Sequence, residues 1–316
     1  MVILVTGGDG RIGCELVKRL LKHGEKVRMF MHNHKKIVCH KNLELFYGDI
    51  LNRSSIKNAM NDVDTVYHLA AILDYTAPKK LMREINVEGT KNILEIAKGK
   101  KIIFMSSTAV MGKKLQKIPA DEKTYCKPTN VYGQTKKDAE KLVLKSGGIV
   151  IRAPPVYGKG FDDGYFDICD QLMKGDMYII GDGKNRIQHI HKSDLVNALL
   201  LAKDKGRPGE IYIVAGSDIQ TQEEILTLTA KLLGVQLKKK HISLEIAKFL
   251  AKVKKIKSKI KSEGTVPIEE YIDVLASDRI FDISKARLEL GFDPKIKYEQ
   301  GANEVILAYK KKRRLN

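Results

Sequence analysis

The chain has 316 residues, 43% of them apolar and 30% charged, with 57 Lys and Arg against 38 Asp and Glu and a formal charge of +19. That apolar content fills one large domain or two modest ones and excludes a disordered chain, and no run is long enough to span a bilayer. The scattered cysteines Cys14, Cys39, Cys126 and Cys169 form no CxxC pair and have no histidine at metal spacing, which argues against a disulfide framework or a metal site and fits a reducing cytoplasm.

The first residues carry no basic region and no cleavage site, so they read as a strand rather than a signal peptide. Val2–Thr6 is a continuous apolar run, as a strand buried on both faces requires. After a glycine-rich turn the spacing predicts a helix from about Ile12 to His23. Strands are predicted at Lys26–Met31, Leu43–Tyr47, Asp64–Leu69, Lys101–Ser106 and Gly148–Arg152. Helical periodicity lies between them at Ser54–Asn61, Leu81–Lys98 and Tyr132–Lys145. This alternation predicts an α/β fold, a Rossmann-type doubly wound parallel sheet with helices on both faces.

The second half is less regular. Pro154, Pro155 and the glycines of 158–164 break the pattern. Helices are predicted at Phe166–Lys174, Ser193–Lys203, Thr221–Leu233 and Ser284–Leu290, with a strand at Ile211–Ala215. The expected division is a Rossmann domain over 1–160 and a smaller C-terminal α/β domain over 161–316, with 187–215 returning to the first.

Gly7, Gly10 and Gly13 sit between the first strand and the first helix. Gly7 permits the tight turn, Gly10 lets a pyrophosphate approach the backbone, and Gly13 lets helix pack on strand. The phosphates then rest on the positive end of the helix, at Arg11 and Ile12. This context marks a dinucleotide site. An acidic residue about 20 positions further on would hold the 2′-hydroxyl of NAD. None stands there; His32, Lys35 and Lys36 form a basic cluster instead, which suits a 2′-phosphate. NADP is the expected cofactor and NAD the alternative, while a solvated basic loop is the plainer account of the cluster. Asp49, followed by Ile50, either accepts a hydrogen bond from the adenine amino group or caps the helix at Ser54.

Tyr132 and Lys136 lie four apart at a helix start and share a face. The ammonium favours the phenolate, so Tyr132 can pass a proton to or from a carbonyl or alcohol. Met105, Ser106, Ser107 and Thr108 end a strand on the carboxyl side, where ligands bind in such sheets, and a hydroxyl there can polarise the same oxygen. An i,i+4 surface pair is the plainer reading of Tyr132 and Lys136 taken alone.

With these residues in this order, the chain resembles the extended short-chain dehydrogenase/reductase family, of the NAD(P)-dependent epimerase/dehydratase type. The resemblance covers nearly the whole length. It rests on TGGDGRIG at 6–13, GDI at 48–50, HLAA at 68–71, NVEGTKNILE at 86–95 and SSTAV at 106–110. It continues with YGQTK at 132–136, IRAPPVYGKG at 151–160, HIHKSDL at 189–195 and FDISKARLELGF at 281–292. It implies that Ser107, Tyr132 and Lys136 are the catalytic triad and that Lys136 also reaches the nicotinamide ribose. It implies that Leu69, Ala70 and Ala71 line the cofactor, that Pro154 and Val156 flank the nicotinamide, and that the protein is a homodimer.

Departures from the family pattern favour simple carbonyl/alcohol redox. Thr108 and Ala109 replace the acid pair of sugar-nucleotide dehydratases. Ile187, with Arg186 beside it, stands where many epimerases place a diphosphate-gripping arginine, and Met111 where they usually have tyrosine. The tail ASDRIFDISKAR is similar to dihydroflavonol reductases and 3β-hydroxysteroid dehydrogenases. Nucleotide-sugar epimerisation on a bound cofactor is the enzymatic alternative. The substrate is a small molecule, and Thr108, Met111, Tyr157, Phe161 and Tyr165 are its candidate contacts; core packing is the plainer role for the aromatic ones.

The charge is localised. Residues 238–261 contain ten lysines against one glutamate, and 310–314 are five further cations, so 14 of the 19 excess charges lie in two segments. In the first, Ile246, Leu250, Val253, Ile256 and Ile260 recur at helical spacing beside a stripe of Lys248, Lys252, Lys255 and Lys259. The expectation is that the apolar stripe packs on the C-terminal domain while the lysines face water. Peripheral membrane contact through 242–261 is the competing reading. Nucleic-acid binding has basic charge as its only support, with no interleaved aromatics to stack bases. The last five cations read as a terminal tail.

Overall fold

A run as apolar as Val2–Thr6 has no face to leave in water, and it becomes β1 in the middle of the main sheet, with Ile3, Leu4 and Val5 fully buried. The structure, a computed structural model, describes residues 1–32, 39–74, 77–161, 164–257 and 268–314. Strand and helix alternate as α1 (Arg11–Lys22), β2 (Lys26–Met31), β3 (Leu43–Tyr47), α2 (Arg53–Met60) and β4 (Val63–His68). Then follow α3 (Lys79–Arg83), a π turn at Glu84–Glu88, α4 (Gly89–Ile96), β5 (Lys101–Ser107) and a 3₁₀ turn at Thr108–Met111. Helix α5 (Val131–Lys145) and β6 (Ile149–Ala153) complete this half.

The predicted strands and helices of this half lie within a residue of the observed ends, with one exception. The stretch predicted as one helix over Leu81–Lys98 is two α-helices joined by the π turn. Asn86, inside that turn, is buried and turns its amide toward the loop after β4 and toward α5. The widened turn accommodates an inward polar side chain that regular helical packing would not.

The second half contributes β7 (Val156–Tyr157), α6 (Tyr165–Lys174), β8 (Ile179–Ile180), β9 (Arg186–Gln188) and β10 (Ile190–His191). Next come α7 (Lys192–Lys205), β11 (Ile211–Ile213), β12 (Ile219–Thr221), α8 (Gln222–Leu233), β13 (His241–Ile242), α9 (Leu244–Lys257), α10 (Ile268–Leu275) and α11 (Tyr298–Arg313). The main sheet has the order β11-β6-β5-β4-β1-β2-β3, and every neighbouring pair is parallel. The winding reverses between β1 and β4, which opens a crevice at the carboxyl ends of those strands.

Helix α7 and β11 build on this sheet, and the main core also takes in Phe281, Ile283, Ala286, Leu290 and Phe292 from near the end of the chain. A separate cluster joins α6, α8 and α11 through Phe166, Leu172, Ala230, Leu233, Val305 and Tyr309.

Two expectations are corrected here. The cations at 310–314 are not a free tail: they run through the last turn of α11 to its left-handed cap at Arg314. Arg313 pairs with Asp170 at 2.6 Å, and the Lys312 ammonium lies 5.2 Å from the Phe166 ring centroid. Helix α11 itself was readable from Tyr298, Ala302, Val305, Ile306 and Tyr309, but Gly301 interrupts the pattern. In α9, the expected packing of Ile246 and Leu250 on the C-terminal domain is not observed, because both are exposed, while Ile260 and the side chains of Val253 and Ile256 lie outside what the structure describes. The buried face carries Leu244 and Ala247, where the small alanine lets α9 pack with Ile272 of α10.

Phe292, fully buried among side chains of the main core, tests how the late segment contributes. Phe292→Ala is expected to lower unfolding free energy by about 3–5 kcal/mol. Denaturant titration checks this, and a loss under about 1 kcal/mol, within the range of ordinary surface changes, would contradict the packing.

Candidate functional site

Gly7 has a φ of +67°, and a Cβ there would sit 2.8 Å from the Ala70 amide nitrogen. A Cβ on Gly13 would overlap the Gly7 carbonyl oxygen. These two glycines press the loop against the end of β4 and against α1. Gly10 differs: its Cβ would meet only the Gly7 oxygen, at 3.1 Å, so its outer side is open. Among the described residues no side chain caps α1 at Gly10, and its first turn has no acidic residue. An uncapped helix start at Arg11 and Ile12, reached over a bare Cα, fits a pyrophosphate.

Leu69 and Ala70 are half-buried beside this loop, and Ala71 is exposed. Their position is fixed from below. His68 Nδ1 pairs with the Thr6 hydroxyl at 2.7 Å and Nε2 with the Thr90 hydroxyl at 2.9 Å. The Ala70 amide donates to the same Thr6 oxygen at 3.3 Å. Burial, helped by the nearby Lys136 charge, pushes His68 down to about 3, so the ring is a neutral bridge. One step further, Asn86 accepts the Ile72 amide at 2.8 Å, donates to the Ile72 carbonyl at 3.1 Å and donates to Thr135 of α5 at 3.0 Å. Residue-level reasoning assigned neither His68 nor Asn86, although both stand in motifs that carry the resemblance.

Asp49 accepts the Leu51 amide at 2.8 Å. It does not cap α2: Asn52 does, taking the Ser54 and Ser55 amides at 3.0 and 3.3 Å. The capping alternative for Asp49 is thereby corrected, since Asn52 is the residue directly before the helix. Ile50 is buried against Gly89. His32 is exposed just beyond β2, while Lys35 and Lys36 lie outside the described residues.

Ser107 is the last residue of β5, and its hydroxyl accepts the Ala109 amide at 3.1 Å. Helix α5 starts under the cap of Asn130, which accepts the Gly133 amide at 2.7 Å. A Cβ on Gly133 would lie 2.5 Å from the Ala109 carbonyl oxygen, so glycine there lets α5 seat on the turn that follows Ser107. This seating brings the first turn of α5, with Tyr132 and Lys136 both buried, to the carboxyl end of β5. The Lys136 ammonium donates to the Met105 carbonyl at 2.7 Å and lies 4.5 Å from the Phe104 ring centroid. Burial lowers its pKa to about 8, opposed in part by the charge of Glu140.

Glu140 is one turn further along the same face. It accepts the Ser106 hydroxyl at 2.6 Å and both Nε and Nη2 of Arg152, at 2.9 and 2.7 Å. The pair is almost wholly buried, with side chains 5% and 3% exposed. Sequence reasoning missed it, yet a glutamate four residues after Lys136 was a readable signal.

On the opposite side of the crevice Pro154 is buried and Val156 half-buried. The Arg11 guanidinium stacks over Phe161 at 5.5 Å, joining the glycine loop to the second half. The other candidate substrate contacts are packed. Met111 lies in the main core. Tyr157 packs on His189, His191 and Tyr298, and Tyr165 bonds Thr229 at 2.9 Å. Thr108 is buried, and its carbonyl accepts Arg279 Nη2 at 3.3 Å. Arg279, also missed, is buried and donates further to the Gly112 and Lys113 carbonyls. Arg186 pairs with Asp278 at 2.8 Å.

The Lys136 charge has a consequence for stability. Its folded pKa of about 8 lies below the ordinary 10.5, so between those values the unfolded chain binds more protons. The buried ammonium therefore opposes folding in full below about pH 8, and this opposition fades as pH rises toward 10.5. Lys136→Met is expected to melt no lower than the parent at pH 7, with any gain shrinking toward pH 10. Calorimetry across that range checks it; a clearly lower Tm at pH 7 would contradict it.

The profile of the NAD dependent epimerase/dehydratase family matches residues 3–215. The chain is 26% identical to a 3-beta-hydroxysteroid dehydrogenase from Mycolicibacterium neoaurum, over 97% of this chain and 91% of that one. It is 29% identical to a UDP-N-acetyl-alpha-D-glucosaminuronate decarboxylase from Bacillus cytotoxicus, over 96% of each. The crystal structure of the UDP-glucuronic acid 4-epimerase from Bacillus cereus in complex with NAD superposes with a TM-score of 0.78 at 22% identity, over 98% of this chain and 99% of that one, a likeness of fold. The profile match spans the glycine loop, Ser107 and the helix of Tyr132 and Lys136, and the chain belongs to the NAD dependent epimerase/dehydratase family.

Proposed function

We propose that this protein is an NADP-dependent oxidoreductase that interconverts a carbonyl and a secondary alcohol on a small molecule. One observation carries the choice of net redox over sugar-nucleotide chemistry. The two arginines that flank the substrate side are both engaged: Arg186 by Asp278, and Arg279 by backbone carbonyls of the segment after Ser107. Each would have to give up these partners to grip a diphosphate, the group that any sugar nucleotide would bring. The similarity to a 3-beta-hydroxysteroid dehydrogenase along nearly the whole chain supports a ring-bearing, apolar alcohol or ketone as substrate.

The nicotinamide, when bound, supplies or accepts the hydride. The chain's own groups handle the oxygen and its proton. Ser107 holds the substrate oxygen by a hydrogen bond. Tyr132 gives its phenolic proton to that oxygen on reduction and takes one from the alcohol on oxidation. Lys136, while charged, favours the phenolate and so eases both directions. Gly7, Gly10 and Gly13 with the start of α1 would hold the pyrophosphate, and Leu69 to Ala71 would border the cofactor along β4.

Absorbance at 340 nm, followed with hydroxysteroids and apolar ketones, tests the reading. Net NADPH consumption or formation is expected, and Tyr132→Phe is expected to slow it by about 10²-fold or more while NADPH binding persists. Near-parental turnover in that variant would remove Tyr132 from its role. The NADP preference rests on the missing acidic residue after β2 and the exposed His32. Fluorescence titration is expected to show NADPH binding at least about tenfold tighter than NADH; equal affinities would overturn it.

A further inference from the structure

Helix α9 shows an unusual side to solvent. Leu244 and Ala247 turn inward, and Ala247 is 5% exposed. Ile246, Phe249 and Leu250, spaced to share one helical face, are 51%, 65% and 45% exposed. Single exposed apolar residues are ordinary, but three large ones together mark an interaction surface. The same helix has five lysines against one glutamate, and three more lysines stand at 238–240.

We propose that this face of α9 docks on an anionic lipid bilayer, with Ile246, Phe249 and Leu250 entering the boundary of the acyl chains and the positive charge of the segment drawing it to the headgroups. Both halves of the pattern are then used: burial of apolar area and attraction of cations to an anionic surface. A second copy of the same face would bring lysines against lysines, which like-charge repulsion opposes. A polynucleotide would use the lysines and leave two clustered aliphatic side chains with no role. Among the described residues no helix is long and apolar enough to cross a membrane, so the contact is peripheral.

The face is tied to the candidate site by one carboxylate. Asp273 of α10 pairs with Lys248 of α9 at 2.5 Å and with Lys113 at 2.9 Å. Lys113 follows the 3₁₀ turn that begins beside Ser107, and the Ser277 hydroxyl donates to its carbonyl at 3.1 Å. Docking through α9 would thus place lipid against the element fastened to the segment leaving Ser107. The inference stands on α9 alone and does not require the redox reading.

The chain has no tryptophan, so Phe249→Trp puts a single reporter on the face. With vesicles of phosphatidylcholine and phosphatidylglycerol at low salt, its emission is expected to shift to the blue and the full-length protein to sediment with the lipid. Pure phosphatidylcholine vesicles are expected to bind far less. Replacing Ile246, Phe249 and Leu250 together by serine is expected to weaken sedimentation by about tenfold or more, with an unchanged circular dichroism spectrum. No blue shift with the anionic vesicles would overturn the proposal. So would serine replacements that leave sedimentation unchanged, or binding of single-stranded DNA that displaces the vesicles and is indifferent to those replacements.

Discussion

A lysine buried in an α/β core must have its charge answered locally, and the way Lys136 is answered organises everything around it. Its ammonium is held by the Met105 carbonyl at the end of β5 and lies over Phe104. Glu140, one turn away, has both its oxygens gripped by Arg152 of β6. Ser106, next to Ser107, is bonded to the same carboxylate. One polar network thus joins β5, α5 and β6 in a region otherwise closed to water. Breaking the Glu140–Arg152 pair would leave one charge buried and unanswered, and that pair fixes the pose of α5 against β6 and, through Ser106, the carboxyl end of β5.

The cofactor side is built by a different means, close packing without charge. Bare Cα atoms at residues 7 and 13 let the glycine loop touch the chain leaving β4, and the neutral ring of His68 bridges Thr6 to Thr90. Asn86 then links that chain to α5. The two sides are therefore not independent. A shift of the loop after β4 is felt through Ile72, Asn86 and Thr135 on the helix that carries Tyr132 and Lys136. The π turn is the local cost of placing Asn86 where it can make this link.

Strong periodicity made the main sheet and its helices legible, since β1, β5 and β6 are mostly apolar runs and short strand-forming stretches alternate with helical spacing throughout this half. The glycine loop and the Tyr132–Lys136 pair were legible because local spacing brings each group together, while Ser107 was chosen from its hydroxyl cluster only by the family resemblance. What was not legible depends on tertiary contact. The strands β7, β8, β9, β10, β12 and β13 have two or three residues each, too short for any period to show. Arg152 looks like an ordinary strand cation until Glu140 on the neighbouring helix pairs with it, and Arg279 like a loop cation until carbonyls far along the chain bury it. The inward face of α9 belongs to Leu244 and Ala247 because α10 packs there, which a spacing rule that counts only large apolar residues cannot see.

On this reading the Tyr132–Lys136 pair of α5 serves net transfer of a hydride between the nicotinamide and the substrate carbon. Incubation with NADPH carrying deuterium at both C4 positions of the nicotinamide, followed by mass spectrometry of the product alcohol, checks this. The account predicts one deuterium on the carbinol carbon for each cofactor consumed. Conversion of a sugar nucleotide with no net consumption of cofactor, and no deuterated alcohol from any apolar ketone, would contradict it.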